Sequence, residues 1–288
     1  GSWLDDVVRT KVESLLLSAH GYQGVLNYYQ VRLVDHPDDV TSMSRLAALL
    51  ANHGQFAEAT FQYEQAINKM PTVVEHRTAL IALLLSQGEL GKALATGREL
   101  IELRNAGTDE YELVGRLILR NPLMEQSDRE QQASDVWMRI CGDGRNAGTL
   151  GYTARLHKEC GLLNRAANLF RSLVELAPEN PVWREELGET LYELGHRDDA
   201  LQEWMLIADG PRRTTPNLTH LSEILERFSE SVEALKAMQQ ACELEPHLSD
   251  RIRLARLLSR TGQLDAGYEQ LDLAAAQAVS LADQHIIK

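Results

Sequence analysis

Hydrophobic positions along the chain repeat at helical spacing, in pairs of short runs separated by a turn. Between Val40 and Val73, Met43, Leu46, Ala47 and Leu50 fall on one face of a predicted helix, and Phe56, Ala59, Tyr63, Ala66 and Ile67 fall on one face of a second. The pair then recurs. A small residue returns at Ala59, Ala93, Ala133, Ala166, Ala200 and Ala234, in steps of 34, 34, 40, 33 and 34, and Gly267 follows 33 later. Gly54, Gly88, Gly161, Gly195 and Gly262 keep a second series, each closing an apolar run where a left-handed helix stop is needed, with Ser229 in the remaining slot. Pro37, Pro71, Pro178 and Pro246 keep a third, each where the second helix of a pair must stop.

The unit is therefore a helix-turn-helix brick. Its small residues let the paired helices approach, and its larger ones fill the gap to the next pair. On these residues the chain resembles the tetratricopeptide repeat family, whose unit of 34 residues carries small residues near positions eight, twenty and twenty-seven and a proline near thirty-two. Pro181 to Thr214 resembles it most, through Leu187, Gly188, Leu191, Tyr192, Leu194, Gly195, Ala200, Trp204 and Ile207; Ala147 to Asn180 follows, through Ala154, Gly161, Ala166, Phe170 and Pro178. The resemblance implies an all-α fold, a right-handed α-solenoid or superhelix of about eight antiparallel helix-turn-helix repeats. Residues 1–288 read as a single array with units starting near Asp6, Val40, Val74, Thr108, Ala147, Pro181, Thr215 and Ser249.

Three units depart from the pattern. In the first, Val25 replaces the small residue, and the last has Gly267 where alanine is usual and runs into Ala274, Ala275 and Ala276 without a polar cap. In the fourth, Asn121, Pro122 and the polar run to Asp128 predict a lengthened turn at 121–128, which accounts for the 40-residue step.

The same resemblance implies that first helices line a concave wall where a peptide or partner protein lies. Outward positions on those helices are Arg116, Arg120, Arg155 and Lys158, then Glu185, Glu189, Glu193, Glu223 and Glu226, then Arg253, Arg256 and Arg260. These bands select a segment of complementary charge, or else they pair across hairpins and face water. On the first reading, reversing Arg155 and Lys158 together removes partner capture and leaves the melting temperature unchanged. The lysine and asparagine clamp by which some family members grip chaperone C-termini is not visible: Ser44 and Ala48, Thr78 and Ala82, Gly151 and Arg155, and Glu185 and Glu189 stand at the matching positions.

Composition narrows the partners. With 44% hydrophobic residues the chain has material for a continuous core, and its net charge of -13 repels phosphate polymers and anionic lipid, which argues against nucleic acid. No apolar stretch reaches the length of a membrane span. Cys141, Cys160 and Cys242 are widely spaced, odd in number and suited to a reducing compartment such as the cytoplasm. Gly1 and Ser2 before Trp3, with no initiator methionine, look like a protease scar ahead of an internal segment.

No reactive constellation stands out. His157 and Cys160 offer two ligands where a closed metal site needs about four, and both fall at packing positions of the repeat. The glycine-rich segment Cys141 to Gly148 lacks the lysine and the serine or threonine of a phosphate loop and reads as a linker. Glu185 with Glu186 and Asp198 with Asp199 are sequence neighbours that point to different sides of a helix. Asn217, Leu218 and Thr219 match a glycosylation acceptor, which matters only in a secreted eukaryotic chain. The expectation is a non-catalytic interaction scaffold with no metal and no cofactor; the alternative is a regulatory or targeting module of a larger enzyme or secretion or transport protein.

Overall fold

The computed structural model describes residues 3–142 and 146–286, with side chains over 7–142 and 146–278. Gly1, Ser2 and the middle of the glycine-rich linker, 143–145, lie outside the described residues. The fold is an all-α helical repeat, and the chain divides into two compact units after residue 144. No helix among the described residues is long and apolar enough to cross a membrane.

The first unit opens with α1 (Trp3–Asp35), which is broken at Gly21, where φ is 61° and ψ is -159°. Tyr29 donates a hydrogen bond to Glu13 across that break. Sixteen residues of straight helix span roughly 24 Å, so the contact requires the chain to reverse at Gly21. Three hairpins follow: α2 (Val40–Asn52) with α3 (Phe56–Lys69), α4 (Val74–Ser86) with α5 (Leu90–Leu100), and α6 (Thr108–Leu119) with α7 (Gln126–Met138). The second unit holds α8 (Ala147–Glu159) with α9 (Leu163–Leu176), α10 (Pro181–Glu193) with α11 (Arg197–Met205), α12 (Thr215–Arg227) with α13 (Ser231–Leu244), and α14 (Leu248–Arg260) with α15 (Leu264–Ile286).

Helix starts alternate by 16 and 18 residues, as in 40, 56, 74, 90 and 108, and again in 147, 163, 181, 197, 215 and 231. The turn inside each regular hairpin is closed by a left-handed residue: Gly54, Gly88, Gly161, Gly195 and Gly262 have φ between 75° and 83°, and Ser229 takes φ 64° in the same slot. Glycine reaches this region without the steric penalty a Cβ brings, and Ser229 bears that penalty.

Within each hairpin, packing depends on a size match between the eighth residue of the first helix and the facing residue of the second. Gly188 faces Trp204, and a Cβ on the glycine would sit 2.2 Å from the indole Nε1; at Gly115 a Cβ would sit 2.0 Å from Nε1 of Trp137. Both indoles are fully buried and donate to the carbonyl three residues before the glycine, Trp204 to Glu185 at 3.2 Å and Trp137 to Glu112 at 3.3 Å. The α4–α5 hairpin inverts the match, with Ile81 on the first helix and Gly97 on the second. Across hairpins, second helices pack on the next first helix, as α3 does on α4, α9 on α10 and α13 on α14.

In the irregular fourth hairpin the segment between α6 and α7 runs over 120–125, against 53–55 between α2 and α3, and α7 takes up the rest of the polar run at 121–128. The step from α6 to α7 is 126 - 108 = 18 residues, against 56 - 40 = 16 in a regular hairpin, and the step from α7 to α8 is 147 - 126 = 21, against 74 - 56 = 18. Helix starts shift because α7 gains a turn at its N-terminus: counted between facing residues, Gly115 and Trp137 are 22 apart where Gly188 and Trp204 are 16 apart, so the extra residues lie between α6 and Trp137. Helix α7 begins at Gln126, inside the polar run, because Asp128 in its first turn suits the positive helix N-terminus. What remains of the turn carries Leu123, 92% exposed.

Candidate partner-binding face

The charged positions of the first helices come from two distinct settings. In the first unit, Arg116 pairs with Glu112 one turn earlier on α6 at 2.8 Å, and Arg120 caps that helix exposed to solvent. In the second unit, α8, α10, α12 and α14 bring their outward side chains into one ladder of ion pairs. Arg155 Nε lies 2.7 Å from Glu186, and Lys158 Nζ lies 2.9 Å from Glu189, 3.4 Å from Glu186 and 3.7 Å from Glu193. The next rung joins α10 to α12. Arg227 donates to Glu185 and reaches Glu189 at 3.1 Å, and His220 Nε2 lies 2.9 Å from Glu185. On the last rung, Arg253 donates to Glu223 and lies 2.7 Å from Glu226, which Arg260 approaches at 3.3 Å.

The inner members of the ladder are shielded. The side chains of Lys158, Glu185, Glu186, Glu189 and Glu226 are each less than one-fifth exposed. Burial lowers the Lys158 pKa, but the hydrogen bond to Glu189 and the charges of Glu189, Glu186 and Glu193 outweigh it, so the ammonium is held above its ordinary value. Arg253 is balanced in the same way, desolvation opposed by Glu226 and Glu223, with the net shift upward. Arg256 is exposed and without an ion pair among the described residues, and Arg155, Glu193 and Arg260 remain substantially exposed.

This geometry corrects the expectation that reversing Arg155 and Lys158 leaves stability unchanged. A glutamate at 158 would face three glutamates in a partly desolvated setting, where like charges repel strongly. Sequence reasoning also passed over Arg227, His220 and the role of Glu186. The signal was available: Arg227 is the thirteenth residue of its helix, the slot that Glu193 and Arg260 occupy in theirs and that Arg120 takes as the cap of α6, and Glu186, His220 and Arg253 share the sixth slot.

Other candidate groups have structural tasks. His157 is fully buried, and its Nδ1 lies 2.7 Å from the Thr153 carbonyl, which makes that nitrogen the donor of a neutral ring. Burial holds its pKa below the ordinary histidine value. Burial raises the Cys242 thiol to about 11, which leaves it protonated at neutral pH. The amide of Asn217 donates to the Arg212 carbonyl at 2.8 Å, so the nitrogen of the glycosylation triplet is engaged within the fold.

No protein-family model matches the chain, and no curated protein matches it. Among solved structures, a tetratricopeptide repeat protein from Parabacteroides merdae is similar at 14% identity and a TM-score of 0.42, over 90% of this chain and 97% of its own. The C-terminal part of a TPR repeat-containing protein from Cytophaga hutchinsonii is similar at 12% identity and a TM-score of 0.46, over 82% and 95%. YrrB, described as a TPR protein with an unusual peptide-binding site, is similar at 12% identity and a TM-score of 0.33, over 76% and 92%. The alternating helix spacing, the left-handed turn residues and the small-against-large pairing within hairpins make the fold of this chain tetratricopeptide-like.

Proposed function

We propose that the chain is a non-catalytic scaffold that holds a peptide or partner protein on the outward face of its first helices. The observation that carries this reading is the ladder of the second unit, where four successive first helices present a charged surface at fixed spacing on a packed frame. Its inner pairs set the positions of the helices, and its exposed members, Arg155, Glu193, Arg256 and Arg260, are the ones a partner meets. Arg120 offers an equivalent cation in the first unit.

The test uses affinity capture from the source cell with the intact chain and with Arg120→Glu/Arg256→Glu. Both arginines are exposed and unpaired among the described residues, so the variant keeps the melting temperature of the parent. Loss of specific partners from the variant supports the proposal, and identical retained proteins on both refute it.

A further inference from the structure

Second helices differ in how far they run. Helices α9 and α13 have 14 residues each, whereas α11 stops after nine, at Met205. A short 3-10 turn, Leu206–Ala208, follows, and then Gly210, with φ 54°, and Pro211 lead the chain into a second 3-10 turn before α12. Proline cannot continue the helix, and the first 3-10 turn buries Ile207 and Ala208 as the chain leaves α11 for α12.

Beside this stretch, between α11, α12 and α13, lies a cavity of about 310 Å³. Its floor is Leu206 with Leu218 and Leu221 of α12, Met205 forms a wall, and Arg213 and Lys236 stand on its rim. It opens between second helices, away from the ladder. Met205 is 47% exposed there, a flexible thioether able to repack around an incoming side chain. Arg213 and Lys236 are exposed and carry no ion pair among the described residues, a state they share with Arg256 of the same unit, but they alone of these three line a cavity. Asp209 also lines the cavity, which leaves the rim with a net charge of one positive.

We propose that this cavity is a second binding site, one that seats a single large apolar side chain of a partner peptide carrying an acidic residue beside it. An apolar pocket of this size with a few convergent polar groups suits one anchor side chain, and two unpaired cations on its edge favour a carboxylate next to that anchor. The proposal deepens the scaffold reading and rests on its claim that the partner is a peptide.

The experiment selects a random-peptide display library on the full chain and measures the recovered peptides by fluorescence anisotropy. The affinity of each is read on the parent, on Arg213→Glu/Lys236→Glu and on Arg120→Glu/Arg256→Glu. The expected result is enrichment of leucine, isoleucine, phenylalanine or methionine next to aspartate or glutamate, with an affinity loss of about tenfold or more on the first variant. Peptides that bind the first variant as they bind the parent overturn the cavity site, and if they weaken on the second variant the scaffold reading stands without it. Recovery of no peptide above background on the parent overturns both. Circular dichroism melting of the variants separates these outcomes from misfolding, because both altered residues of each pair are exposed.

Discussion

Replacing Gly188 by alanine should destabilise the protein, although a glycine-to-alanine change inside a helix ordinarily stabilises it by about 1 kcal/mol. The added Cβ would lie 2.2 Å from Nε1, 2.5 Å from Cδ1 and 2.7 Å from Cε2 of Trp204, all atoms of one rigid ring. Carbon contacts settle at about 3.5–4.0 Å, so the indole must retreat by roughly an ångström. It has nowhere to go. Trp204 is fully buried, with the Phe228 ring 4.7 Å away and the Tyr192 ring 5.8 Å away, and retreat stretches its 3.2 Å hydrogen bond to the Glu185 carbonyl. Overpacking of this kind costs about 1–3 kcal/mol and a buried donor left without its acceptor about 1–3 kcal/mol more. After the gain in helix propensity, the net loss is about 1–5 kcal/mol. Urea unfolding followed by circular dichroism reads it as a lower midpoint. Combining Gly188→Ala with Trp204→Phe recreates the Ala154 and Phe170 pairing of the preceding hairpin, and a double-mutant cycle should give a favourable coupling above about 1 kcal/mol. A single variant as stable as the parent, or a cycle without coupling, refutes the size-matching account.

Other perturbations test other parts of the fold. Ser229→Gly should raise stability by about 0.5–1 kcal/mol, seen as a higher denaturation midpoint, because it removes the penalty of a left-handed serine at some cost in unfolded-state entropy. Lys158→Met should lower stability by about 1–3 kcal/mol at neutral pH, because Glu186, Glu189 and Glu193 lose their shared cation; a variant with the urea midpoint of the parent would contradict the ladder. His157 and His76 both have folded pKa values lowered chiefly by burial, so the unfolded chain binds more protons between the folded and unfolded values. Their contribution is complete above an ordinary histidine pKa of about 6.5 and is lost as the pH falls through that window, and His157→Asn should flatten this slope in a series of melts.

The periodic parts of this fold were legible because each marker residue has one physical task. Gly54 and Gly195 could be placed at turns from sequence because only the left-handed region closes a hairpin of that length, and the same slot identified Ser229. The complementarity of Gly188 with Trp204 was harder to see, since sequence shows a small and a large residue at repeat positions but not that one ring fills the place of the missing Cβ. In the fourth hairpin, Asn121 and Pro122 mark the longer turn, but the added helical turn at the start of α7 was not legible, because the polar run around Asp128 carries no apolar positions at helical spacing. For the candidate face, the outward slots were readable, but pairing was not. Which rung Lys158 joins depends on the offset between α8 and α10, and helical spacing within one repeat carries no information about that offset.

That pairing changes where selectivity for a partner has to come from. A banded sequence suggests alternating fields along a surface, yet Lys158 already satisfies Glu189, and Arg253 already satisfies Glu226. A ligand that displaces either must match contacts already made in a partly desolvated setting, so exchange of one pair for another brings little net affinity. Exposed members such as Arg256 act with less competition, but each contributes on the scale of a surface ion pair, about 0–1 kcal/mol. Apolar burial has no such ceiling, because it adds about 25 cal/mol for every Å² removed from water. The regular hairpins bury Leu173, Leu187 and Ile224 fully against one another, while Phe61 of α3 and Val232 of α13 stay more than half exposed. At the nine-residue α11 such exposed apolar surface, Met205, stands beside a cavity rather than on a flat helix face, so an incoming side chain can bury more area there.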